Sequence, residues 1–266
     1  MRSSMEKSEV KRVLKLALNA GKMLLEYGAE TYRVEETINS ICRTKGLEQV
    51  QSFVVPTGIF LNVEHDDEYY SLIHRTTVKR IDLEIISMVN DFSRKLLIDH
   101  MSLEDGEKEL VKIENAPIFS LNLRLLAGGL AGGFFTLLFG GNHIEFLIAF
   151  INSILVVLFT TMAGRYRISF FLKNLLGGMA SMFFALVLVK TAGNFAVDAQ
   201  IDSVIIGSLM PLVPGVAIVN AIRDIISGDF VSGTSRLTEA VLIAVALALG
   251  VGTVLQGYIF IFGGIL

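Results

Sequence analysis

The sequence predicts an α+β domain (two helices, a three-stranded meander and a further helix) followed by an all-α polytopic membrane domain with five transmembrane helices. Three observations predict it. Of the 23 Lys and Arg and 26 Asp and Glu in 266 residues, positions 1–115 hold 16 and 20. Positions 116–266 hold 19 of the 24 glycines. Five apolar runs, each near the roughly 20 residues a bilayer crossing needs, also fall in that second part. The boundary follows the acidic, helix-forming stretch Glu104 to Glu114 and lies at Asn115-Ala116-Pro117, where proline suits a junction between helices. The predicted domains are therefore 1–115 and 116–266.

In the first domain, Val10, Leu14, Ala17, Leu18, Gly21 and Leu25 recur at helical spacing, which predicts an amphipathic helix stopped at Gly28. A second helix is predicted from about Thr31 to Lys45, ending at Gly46. Cys42 shares a helical face with Val34, Ile38 and Ile41, so the single cysteine reads as a buried thiol. Three strands follow, Val50 to Val55, Gly58 to Glu64 and Tyr69 to His74, joined by Pro56-Thr57-Gly58 and the acidic turn Asp66-Asp67-Glu68. A helix from about Ile81 to Leu97 places Leu83, Ile86, Val89, Phe92 and Leu96 to one side. No signal peptide is expected, because Met1 to Arg12 is charged and no apolar core with a cleavage site follows.

The five membrane segments are predicted at about 118–139, 145–163, 168–190, 202–222 and 238–262. The connection Gly140-Gly141-Asn142-His143 carries no Lys or Arg, whereas Gly164-Arg165-Tyr166-Arg167 carries two. The third connection offers Lys190 against Asp198 and Asp202, and the fourth contains Arg223 and Arg236. The positive-inside rule then places the N-terminal domain in the cytoplasm and Gly263-Gly264-Ile265-Leu266 outside. Gly128, Gly129, Gly132 and Gly133 form two overlapping G-x-x-x-G pairs, and Ala244, Ala248 and Gly252 repeat the spacing. Such faces allow close helix packing, within one subunit or between two.

The fourth segment carries Pro211, Pro214 and Gly215 near its middle. Proline removes a backbone donor and clashes with the preceding turn, so the helix is expected to break there. Free backbone at membrane depth is tolerated where protein buries it or where water and solute reach it, as in the broken helices of secondary transporters. A packed proline kink fits the same residues. Arg124, Glu145, Lys173, Asp202, Arg223, Asp224 and Glu239 lie in or at the ends of apolar segments, where charge is costly and is therefore paired, interfacial or functional. Glu145, Lys190 and Arg236 are close enough to segment ends to snorkel or stay wet.

Other chemistries find little support. With a net charge of -3 and no basic patch, no nucleic-acid partner is expected. The chain has no H-E-x-x-H, G-x-S-x-G, cysteine pair or G-x-x-x-x-G-K-[ST], so no catalytic residue, metal or cofactor is assigned. His65 beside Asp66, Asp67 and Glu68 reads as a solvated turn before a metal site. Thr57-Gly58 and Arg75-Thr76-Thr77 read as turn chemistry before an anion pocket.

Two passages resemble the threonine/serine exporter family, in the form split between a larger and a smaller subunit. The first is Gly28-Ala29-Glu30-Thr31-Tyr32-Arg33-Val34-Glu35, with Pro56-Thr57-Gly58 and the stretch Arg75 to Arg94. The second is Pro211-Leu212-Val213-Pro214-Gly215, continuing through Asn220-Ala221-Ile222-Arg223-Asp224 to Gly228-Asp229 and Ser232-Gly233. The resemblance implies a bacterial inner-membrane secondary exporter of threonine and serine or of succinate-like dicarboxylates. It also implies a separate, smaller membrane subunit supplying the helices that fused members carry on one chain. Substrate contact is expected at Pro211, Pro214, Gly215 and Asn220, with Arg124 and Lys173 facing a carboxylate or an acidic partner. Gating or proton coupling is expected at Arg223, Asp224, Asp229 and Asp202, with Arg223 and Asp224 as a gate pair. The proton gradient is the expected driving force, since no ATP-binding motif is present. A metabolite-gated channel or sensor is the alternative, and a membrane-tethered hydrolase a weaker one for want of a nucleophile and base.

Overall fold

The computed structural model describes residues 5–77, 80–99, 101–166, 168–195 and 198–264. Arg167 and Leu266, used above for orientation, lie outside the described residues. The order is α1 (Lys7–Glu26), α2 (Thr31–Thr44), β1 (Gln49–Val55), β2 (Gly58–His65), β3 (Glu68–Arg75), α3 (Leu83–Ile98) and α4 (Leu103–Glu114), then α5 (Leu121–Leu138), α6 (His143–Ala163), α7 (Phe170–Gly193), α8 (Ile201–Leu209), a 3₁₀ turn (Met210–Leu212), α9 (Gly215–Ile226) and α10 (Phe230–Phe262). The chain forms two compact units, Met1–Pro117 with Val216–Thr238, and Ile118–Gly215 with Glu239–Leu266.

In the first unit the three strands form an antiparallel meander in the order β1-β2-β3. Period-two side-chain alternation turns Val50, Val54, Ile59, Leu61 and Val63 inward, while Phe53, Phe60 and Ile73 stay exposed on the other face. The β2–β3 turn needs two left-handed residues, and Asp66 (φ 51°) and Asp67 (φ 57°) supply them, as a two-residue hairpin loop requires. The one-sided reading of α1 is too narrow. Val13, Leu16, Ala20, Met23 and Leu24 are buried together with Val10, Leu14 and Leu25, because α2, α3, α4 and the sheet all pack around this helix. Each fully buried leucine contributes roughly 1.5–3 kcal/mol of apolar transfer energy. Cys42 lies in this core with no exposure, and burial pushes its thiol pKa up to about 12.

In the second unit the glycine faces are used internally. Ser153 on α6 occupies the space a side chain on Gly132 would need, and a Cβ on Gly207 would sit 2.5 Å from Gly132 O. Between α7 and α10, a Cβ on Gly178 would lie 2.5 Å from Leu247 O, and one on Gly250 would lie 2.8 Å from Met179 N. These helices approach backbone to backbone, as lipid-exposed bundles require. Ala244, Ala248 and Gly252 instead remain exposed, with open space around Gly252. Glu145 is buried and not wet as its position near a segment end suggested. It closes a capping box with Asn142 and accepts a 2.7 Å bond from the Gln200 amide. Lys190 is exposed and sits 4.7 Å from the Phe262 ring centroid.

Among the described residues four helices, α5, α6, α7 and α10, are long and apolar enough to cross a membrane, or five spans if the broken pair Ile201–Leu212 and Gly215–Ile226 counts as one. The molecule is mostly helical, with one small sheet.

Candidate functional site

The fourth apolar segment is interrupted where its prolines stand. After α8 the chain makes the 3₁₀ turn Met210–Leu212, Val213 turns extended (ψ 131°), and α9 starts at Gly215. Pro214 accounts for the extended residue, because its ring excludes the helical conformation from the residue before it. A Cβ on Gly215 would meet nothing within 4 Å, so the start of α9 is open. The first amides of any helix lack intrahelical partners and attract anions.

Further along, α9 carries Asn220, Arg223 and Asp224 at spacing that puts the first and the last two on one face. Gly228 (φ +91°) ends the helix, and Asp229 caps α10, its Oδ1 accepting from the Ser232 amide at 3.0 Å. A Cβ on Gly233 would lie 2.9 Å from Ala221 O, which explains why glycine stands where α9 and α10 meet.

These residues close on the turn between α1 and α2, within the first unit. Gly28 (φ +93°) makes that turn, and Asn220 Nδ2 donates to Gly28 O at 2.7 Å. Arg223 Nη1 donates to Glu30 Oε1 at 2.6 Å. Asp224 Oδ1 accepts from the Thr31 amide at 3.2 Å and lies 3.0 Å from Thr31 Oγ1. Asp229 Oδ2 lies 2.8 Å from the same hydroxyl. Arg236, from α10, donates through Nη2 to Ala29 O at 2.6 Å, and its Nε stands 3.2 Å from Asp224 Oδ2. Asp224 is fully buried and Arg236 is 9% exposed. Although they are at ion-pair distance, neither Asp224 Oδ2 nor Arg236 Nε has a partner in hydrogen-bonding geometry among the described residues.

The carboxylates around this cluster are tuned in different directions. For Glu30, burial works against ionisation, yet its backbone amide and the Arg223 and Arg33 guanidiniums outweigh it and hold the group below the usual range. Asp229 is also held low, burial being outweighed by the Ser232 hydroxyl and amide and by Thr31. Glu35 goes the other way. Burial pushes it up and Asp229 adds to the rise, only partly offset by the Val54 amide, which donates to Glu35 Oε1 at 2.8 Å.

The residues singled out in the sequence are thus divided. Asn220, Arg223, Asp224 and Asp229 come together around Gly28 to Thr31. Arg223 and Asp224 do not pair with one another, since consecutive helix positions point apart: Arg223 takes Glu30 and Asp224 faces Arg236. Arg236 is buried and not snorkelling. Pro211, Pro214 and Gly215 form the break, and Arg124, Lys173 and Asp202 belong to the second unit, where all three are exposed. Among the described residues those three make no side-chain hydrogen bond or ion pair. Sequence reasoning gave no role to Glu30, Thr31, Ser232 or Arg236. The signals were an arginine inside an apolar run and two distant blocks carrying the same resemblance.

A helical membrane protein with a broken apolar segment and a buried charge cluster is the class this fold and site define. The chain matches, over residues 15–258, the family described as "Putative threonine/serine exporter", and it belongs to that family of transporters. It is similar to the "Threonine/serine exporter" of Corynebacterium glutamicum, 24% identical over 253 residues covering 94% of this chain and 52% of that protein. It is also similar to the "Probable succinate transporter subunit YjjP" of Klebsiella aerogenes, 26% identical over 254 residues and covering 92% of this chain and 94% of the relative. The Escherichia coli (strain K12) protein described in the same words is 24% identical, covering 93% and 95%. The chain therefore spans about half of the Corynebacterium exporter and nearly all of the two YjjP proteins. No solved structure matches it.

Proposed function

We propose that this protein is a subunit of a bacterial inner-membrane secondary exporter that moves a small amino acid or carboxylate, threonine, serine or succinate-like, out of the cell on the proton gradient. The observation that carries this reading is the break between α8 and α9 inside an apolar segment, set in a chain of the exporter family. Residues 1–115 form the cytoplasmic α+β domain and residues 116–266 the membrane domain, with α8 and α9 as one broken span, five spans in all, the N-terminus cytoplasmic and the C-terminus outside.

The solute's carboxylate is received at the break formed by Pro211, Pro214 and Gly215, where the first free amides of the helix restarting after Gly215 and its dipole favour an anion. Exposed Arg124 and Lys173 are the cations that face it, and Asn220, midway along α9, ties that helix to Gly28. Arg223, Asp224, Asp229 and Asp202 serve gating or proton coupling. A smaller membrane subunit completes the transporter. The naming of the YjjP relatives as subunits supports this, as does the exposed Ala244, Ala248 and Gly252 stripe, a surface that accepts close helix packing.

Metabolite profiling tests the reading. Deletion strains should retain, and overexpressing strains should release into the medium, one of threonine, serine and succinate measured together. Unchanged levels of all three in both strains would overturn the substrate class.

A further inference from the structure

Thr31 Oγ1 carries one hydrogen and stands between two carboxylate oxygens, Asp224 Oδ1 at 3.0 Å and Asp229 Oδ2 at 2.8 Å. One hydrogen serves one acceptor well. The second oxygen would then meet the hydroxyl lone pair to lone pair at hydrogen-bond distance, a repulsive contact unless that oxygen carries a proton. Charge counting leads to the same place. Glu30, Glu35, Asp224 and Asp229 are four carboxylates set against three guanidiniums, Arg33, Arg223 and Arg236. One negative charge is in excess at a position where Asp224 is fully buried. Among the described residues, Asp224 Oδ2 and Arg236 Nε, both inside the cluster, have no partner in hydrogen-bonding geometry, so the ion pair is not closed.

We propose that Asp224, Thr31 and Asp229 form a proton-binding site that holds one exchangeable proton, passed between the two carboxylates through the threonine hydroxyl. Asp229 is half-buried and is the entry. Water delivers a proton to its oxygen, Thr31 accepts that proton as it donates its own, and Asp224 Oδ1 ends as the carboxylic acid. The reverse order returns the proton to solvent, and only O–H bonds form and break. The groups that face the site are Glu30 just before α2, Arg33 and Glu35 from α2, Arg223 from α9, and Ser232 and Arg236 from α10. With the proton bound, Arg236 is released from Asp224 and keeps Ala29 O; without it, Arg236 is drawn onto Asp224. The proton thus switches how α10 holds the α1–α2 turn. This deepens the proton-driven reading above and rests on it only for the link to transport.

Infrared difference spectroscopy of the full-length protein in lipid nanodiscs, taken through a pH titration, tests the site. The expected result is a carboxylic-acid carbonyl band that appears as pH falls, is lost in Asp224→Asn and in Asp229→Asn, and persists in Thr31→Ser. Thr31→Val should move its midpoint by about one pH unit or more, since the two carboxylates then lose their bridge. If the Asp variants do not fold, the contrast between Thr31→Val and Thr31→Ser decides. A wild-type band untouched by both Asp variants, or identical midpoints for Thr31→Val and Thr31→Ser, would overturn the site. A band that behaves as expected in a protein whose solute flux ignores the proton gradient would instead refute the coupling to export and leave the site standing.

Discussion

Arg236→Gln removes the guanidinium that faces Asp224 and holds Ala29 O. Asp224 is fully buried, and the Arg236 side chain is 10% exposed, so solvent cannot take over the lost interaction. Breaking a buried ion pair by deleting one partner costs about 3–5 kcal/mol, because the remaining charge is left uncompensated. Local opening of the α1–α2 turn should therefore rise by about two to three and a half orders of magnitude, at roughly 1.4 kcal/mol per tenfold change. The Thr31 amide, which donates to Asp224 Oδ1, reports that opening through hydrogen exchange. The comparison is made in mildly alkaline buffer, which favours the ionised carboxylates. Asp224→Asn in the same chain removes the uncompensated charge and should recover about 2 kcal/mol, a coupling that a double-mutant cycle isolates. Thr31 exchange in Arg236→Gln within a factor of about two of wild type, roughly 0.4 kcal/mol, would refute the reasoning. So would equal losses in the single and double variants.

The remaining predictions concern packing, pH and reactivity. Gly250→Ala drives a Cβ against Leu175 and Met179 backbone and should sharply reduce folded protein in the membrane, while Gly252→Ala, in open space, should leave it unchanged; size-exclusion profiles of fluorescent fusions compare them. Glu30 is held below the usual carboxylate range in the folded protein, so it stabilises above its unfolded pKa and ceases to do so as pH falls through its lower folded value. Glu30→Gln should accordingly lower the melting temperature at neutral pH, with the gap to wild type closing in acid. Cys42, buried and with its thiol at about 12, should resist maleimide in the native protein and react once denatured.

How far the sequence could be read depended on the range of the interaction. Helix stops at Gly28 and Gly46, the meander and the Pro211–Gly215 break come from local backbone constraints, and local residues announce them. Periodicity under-described α1, because a helical pattern shows what one helix hides and not how many neighbours surround it. The pairing of Thr31 with Asp224 spans 193 residues and leaves no trace in either segment alone. Arg223 and Asp224 looked like a pair through adjacency, whereas neighbouring helix positions diverge by about 100° and find separate partners. Arg236 looked like a snorkelling side chain since hydropathy records the cost of a charge and not the carboxylate that offsets it. Exposed Arg124, Lys173 and Asp202 make no side-chain hydrogen bond or ion pair among the described residues, so for them the expectation from sequence stands as a proposal.

The central claim is uphill export of a small carboxylate through the broken fourth span. Its most direct measurement is flux of labelled threonine, serine and succinate in proteoliposomes holding this chain and the proposed smaller membrane partner, under an imposed proton gradient. The account predicts accumulation of one of the three against its own concentration gradient, abolished by an uncoupler and strongly reduced in Pro214→Ala at matched membrane abundance. Flux that only ever runs downhill and ignores the uncoupler, or Pro214→Ala kinetics equal to wild type, would contradict it.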